Sequence, residues 1–104
     1  MADSLGILVN TDKYLDYVVN LTRAAHSKGK DVQIFFTGKG VLVTMKPDFK
    51  KLVGIAKLAV CDVSFRSYGL HGREDEVPGV GFKDFATQAK NAEMVANMDR
   101  YMVF

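Results

Sequence analysis

The chain carries a single cysteine, Cys61, and its surroundings decide whether it does chemistry. The thiolate rather than the thiol is the nucleophile, so the question is which neighbours favour the charged form. Cys61 ends an apolar run, Lys57–Cys61, and directly precedes Asp62–Tyr68, which reads as a short helix. Unpaired N–H groups and the positive dipole end at that junction favour a thiolate. Asp62 works against it, because an adjacent carboxylate raises a thiol pKa. Lys39, Arg66 and His71 are the charged candidates for offsetting Asp62, and Thr37 stands with them as a candidate binding residue. The competing reading makes Cys61 a small buried hydrophobe.

Three other patterns suggest chemistry and carry less. Cys61 and Arg66 invite comparison with the anion-wrapping loops of rhodaneses and cysteine phosphatases. Such loops turn successive N–H groups inward and favour small residues, whereas Val63 and Phe65 stand here. Gly38-Lys39-Gly40 lacks the longer glycine loop that cradles phosphate, and a turn into a helix explains both glycines. His26, His71 and one cysteine fall at no metal-ligand spacing, so no metal and no cofactor are expected. Glu74, Asp75 and Glu76 read as a solvated loop. Met94, Met98 and Met102 are candidates for the core or for a subunit interface.

The elements that must position these residues are legible as alternating strands and helices. Leu5–Val9 reads as the first strand. Tyr14, Leu15, Val18, Leu21, Thr22 and Ala25 then recur at helical spacing, with Asp12 as the expected cap and Gly29 as the stop. Val32–Phe36 is the second strand. Strand propensity competes over Val41–Met45, but the alternation favours a short helix starting near Gly40. Pro47 ends it, and Asp48 is expected to cap another short helix over Phe49–Ile55. After the third strand, Lys57–Cys61, Gly69-Leu70 resembles a helix stop with its hydrophobic follower. His71–Gly79 should be a loop and Val80–Phe85 a fourth strand. A last helix follows with Thr87 as its cap, and Arg100–Phe104 closes as a fifth strand.

Strands joined by helical crossovers give an α/β fold with a mostly parallel five-strand sheet covered on both faces. Sites in such sheets collect at the carboxyl ends of the strands. That rule gathers Asn10, Thr11, Thr37, Gly38, Lys39, Cys61, Asp62 and Thr87 on one rim.

At 104 residues the chain is expected to be one domain over 1–104. Its 14 basic and 12 acidic residues are scattered and give a formal charge of +2, so no nucleic-acid partner is expected. The apolar runs are too short for a membrane span. Met1-Ala2-Asp3-Ser4 does not open a secretory signal. One cysteine cannot form an internal disulfide, and a reducing cytoplasm is the expected location.

Val60-Cys61-Asp62-Val63-Ser64-Phe65-Arg66-Ser67-Tyr68-Gly69-Leu70 resembles the cysteine segment of the DsrE/DsrF-like family, small proteins associated with sulfur relay. Leu5–Val9, Phe35-Phe36-Thr37 with Gly40-Val41, Pro78-Gly79-Val80 and Arg100–Phe104 resemble the rest of the pattern in order. The resemblance implies a three-layer α/β/α sandwich, assembly as a homo-oligomer (trimer or hexamer), and protein donors and acceptors of sulfur. Cys61 matches the position that accepts a persulfide in the sulfur-relay members. Asp62 and Phe65 depart from the small residues often found beside it. The resemblance therefore implies a persulfide carrier, with a non-catalytic oligomeric subunit or binding module of the same fold as the alternative.

Overall fold

The computed structural model describes residues 3–104. Its strands are Ser4–Val9 (β1), Asp31–Phe36 (β2), Lys57–Cys61 (β3), Phe85–Ala86 (β4) and Arg100–Val103 (β5). They form one all-parallel sheet in the order β4-β3-β2-β1-β5. The chain steps outward from β1 to β4, then returns past the start to place β5 on the far side. Because crossovers of this kind are right-handed, that reversal sends the last crossover to the opposite face. The result is the α/β/α sandwich expected from the alternation.

One face carries Leu15–Ser27 (α1), the 3-10 helices Gly38–Met45 and Pro47–Leu52, and the short helix Asp62–Ser67 (α2). Period-two alternation in the strands sends Ile7, Ile34, Phe36 and Val60 to this side, where they pack with Val18, Phe49, Leu52 and Phe65. Among the described residues, the other face is covered by Gln88–Asn97 (α3) alone. Phe35, Ala59, Cys61 and Met94 form its smaller core, with Met98 and Tyr101 packed against it.

Both expected helix stops form. Gly29 and Gly69 adopt φ of 76° and 81°. Leu70 N–H bonds the Phe65 carbonyl and Gly69 N–H that of Arg66, a Schellman motif whose hydrophobic follower, Leu70, is buried. Thr87 caps α3, its hydroxyl accepting from Ala89 N–H at 3.3 Å.

Other expectations need correction. Asp12 does not cap α1, whose flanking residue is Tyr14, and no side chain closes that end. Asp48 lies inside its 3-10 turn rather than before it. Both segments after β2 are helical, but of the tighter 3-10 type. The fourth strand shrinks from Val80–Phe85 to Phe85–Ala86. Asp84 causes this: its carboxylate accepts from Gly81 N–H at 2.9 Å while its own N–H bonds the Gly81 carbonyl. That local turn takes the backbone groups a strand would need, and it leaves Phe82 exposed.

Candidate functional site

Three segments converge beside Cys61 because three parallel strands end at one rim. β2 ends at Phe36 and delivers Thr37, β3 ends in Cys61 and delivers Ser64 one turn into α2, and β4 leads into α3 and delivers Gln88. The turn after β2 depends on two glycines. Gly38 has φ of 53°, and a Cβ there would lie 2.6 Å from Asn10 Oδ1. A Cβ at Gly40 would overlap the Val9 carbonyl oxygen. The backbone can therefore pass close over the end of β1 and aim Thr37 across the rim.

The polar groups form one continuous set. Gly38 N–H donates to Ser64 Oγ at 2.9 Å. Ser64 Oγ lies 3.4 Å from Thr37 Oγ1, which in turn accepts from Gln88 Nε2 at 2.7 Å. The same Gln88 amide reaches Cys61 Sγ at 3.7 Å. With Ser64 Oγ already accepting from Gly38, its own proton remains available to a neighbouring acceptor.

These contacts set the ionisation of Cys61. Burial, with only 3% of the residue exposed, pushes the thiol pKa up. The Ser64 hydroxyl and backbone N–H, then Thr37 and Gln88, push it down by more, so it lies below that of an ordinary cysteine. A buried sulfur surrounded by neutral donors can hold negative charge without a cation beside it.

Of the residues singled out in the sequence, Thr37, Gly38 and Cys61 come together in this set. Arg66 does not join them: it pairs with Asp62 at 2.8 Å, an i,i+4 contact along α2. That pairing also turns the Asp62 carboxylate toward a cation. His71 is exposed and lies 3.5 Å from Glu74. Lys39 is exposed and takes no part in the hydrogen bonds around the sulfur.

Ser64 and Gln88 were not singled out from the sequence. Ser64 carried a usable signal, since three residues after Cys61 places it one turn into the helix. Gln88 follows Thr87, which the carboxyl-end rule places on the same rim, but only the β3–β4 pairing brings the start of α3 to the sulfur. Among known proteins, the chain matches no family model and no curated sequence.

Proposed function

We propose that the protein is a sulfur carrier of the DsrE/DsrF-like kind, holding sulfane sulfur as a persulfide on Cys61. The observation that carries this reading is a buried thiol beside a connected set of polar groups from three separate segments, an arrangement that favours the thiolate. In the loading step the Cys61 thiolate attacks the outer sulfur of a donor persulfide. The new Sγ–S bond forms as the donor's own S–S bond breaks, and the donor leaves as a thiolate. In the unloading step an acceptor thiolate attacks the terminal sulfur, the Sγ–S bond breaks, and Cys61 returns to its thiolate. No external oxidant or reductant enters either step.

Ser64, Thr37 and Gln88 stabilise the Sγ thiolate, which is both the attacking group in loading and the leaving group in unloading. With one cysteine in the chain, the persulfide has no internal partner with which to resolve as a disulfide. That suits a carrier working between a protein donor and a protein acceptor in a reducing cytoplasm. Assembly as a homo-oligomer, a trimer or hexamer, belongs to the same reading and is checked by light scattering.

The test is mass spectrometry after incubation with a persulfide donor. Wild-type protein should gain one sulfur, and Cys61→Ser should gain none, because a serine hydroxyl stays protonated and cannot hold a persulfide. Equal labelling of both would indicate nonspecific deposition and defeat the proposal. The burial of Cys61 favours one rival, a non-catalytic oligomeric subunit or binding module in which the thiol only packs against Phe35 and Met94. Failure of several donors to label the wild type would favour that rival.

A further inference from the structure

β5 is an edge strand, and α1 stands beside it without covering it. Register pairs Met102 with Ile7, so Met102 points to the α1 face, yet it remains 41% exposed. Between them lies a cavity of about 250 Å³. Leu5 and Met102 contribute from the sheet, while Leu21 and Ala24 contribute from α1. Leu21, Ala24 and Lys28 follow at i, i+3 and i+7, which lines them up along one side of the helix. This stripe is distinct from the one that α1 buries in the core through Leu15, Val18, Val19, Thr22 and Ala25.

Charge is segregated along the cavity. Lys28, Lys30 and Arg100 line it together with a single carboxylate, Asp3. Asp3 is taken by Lys30 at 2.9 Å and has Arg100 as a further nearby cation, and among the described residues neither Lys28 nor Arg100 makes an ion pair within bonding distance. Arg100 pairs in register with Leu5, near the amino end of the strands, and Lys28 follows the end of α1. The cations therefore occupy one end, and the side chains of Leu21, Ala24 and Met102 run away from them with no charged group among them.

We infer that this cavity binds a single-chain anionic amphiphile, with its alkyl chain along Leu21, Ala24 and Met102 and its carboxylate at Lys28 and Arg100. One molecule with one charged end satisfies both features of the cavity. A strand added to the free edge of β5 would lie in the plane of the sheet and leave the cavity unfilled. This site lies apart from Cys61, on the other face of the sheet, and goes beyond the sulfur-carrier reading.

The test is calorimetric titration with laurate below its micelle concentration, with dodecanol, dodecyltrimethylammonium and acetate as comparisons. Laurate should saturate one site per chain, and acetate should not bind. Dodecanol, lacking the charge-assisted contact, should bind about tenfold more weakly. Ala24→Glu, an exposed substitution that puts a carboxylate within the apolar length, should abolish saturation. Arg100→Gln should weaken laurate by about tenfold. Circular dichroism and melting curves establish that both variants fold, and Arg100→Gln retains the test should Ala24→Glu fail to. No saturation by laurate, equal binding by Ala24→Glu, or a preference for the cationic amphiphile would each overturn the inference. So would an oligomer that Ala24→Glu disperses and laurate does not, which would make a second copy the occupant.

Discussion

Replacing Ser64 by alanine should raise the pKa of Cys61 and slow its alkylation by about tenfold at pH values below the native thiol pKa. The Ser64 hydroxyl is the largest of the contributions that lower the thiol pKa, while burial, the largest effect of all, opposes them. The substitution removes the hydroxyl and leaves the burial in place. A hydrogen bond to a charged group contributes about 1.5–3 kcal/mol, and its lower end is roughly a tenfold change in thiolate population. The lower end applies because the Ser64 backbone N–H, Thr37 and Gln88 remain. The assay is the rate of iodoacetamide alkylation measured from acid to alkaline pH in native protein. At high pH, where both proteins are fully ionised, the two rates should converge. The variant also deprives Gly38 N–H of its acceptor, so a modest stability loss of about 1 kcal/mol should accompany the change. Thermal melting separates that loss from the shift in reactivity. An unchanged pH midpoint in a folded variant would refute the claim that this hydroxyl stabilises the thiolate.

Because the native thiol pKa is depressed, Cys61 should contribute stability that is full above the unfolded thiol pKa and lost as pH falls through the native one. Denaturant titrations across that interval should show wild type gaining on Cys61→Ala as pH rises; parallel curves would contradict this. Thr22→Val should stabilise the protein by about 1 kcal/mol, because Thr22 Oγ1 is buried in the α1 core with no hydrogen-bond partner among the described residues, and a rise in melting temperature checks it. Gln88→Ala should make Cys61 alkylate faster at high pH, since the amide lies 3.7 Å from the sulfur but is the weakest of the groups that favour the thiolate. A slower rate at high pH would mean that Gln88 orders the site rather than covers it.

The parts of this fold that were legible in the sequence are those governed by local chemistry. Gly69-Leu70 announces its helix stop because positive φ and a buried follower are needed at adjacent positions. Lys57–Cys61 reads as a strand because a sheet covered on both faces makes a central strand almost wholly apolar. Val80–Phe85 misled for the opposite reason: apolar composition suggested a strand, while Gly81 and Asp84 could close a turn on themselves. At the site, the carboxyl-end rule brought Thr37 and Cys61 together without any knowledge of loop paths. It could not assign the charged candidates, because long exposed side chains go where a partner lies, and Arg66 finds Asp62 one turn away. Gln88 is 27 residues from Cys61 in the chain, and its role exists only through the pairing of two-residue β4 with β3.

Burial and activation oppose each other at Cys61, and the arrangement of segments reconciles them. The donors that most favour the thiolate, the hydroxyl and N–H of Ser64, belong to the element that Cys61 itself starts, so their geometry is fixed by the strand-to-helix junction. Gln88 comes from α3, which among the described residues is the sole cover on its face and buries only Met94 completely. Its amide is also the weakest of the contributions that lower the thiol pKa. If Gln88→Ala speeds alkylation as expected, moving Gln88 exposes the sulfur while forfeiting little of what keeps it charged. A donor approaching from the α3 side could meet a thiolate still held by Ser64 and Thr37, and the gate and the activating groups would be separate residues on separate elements.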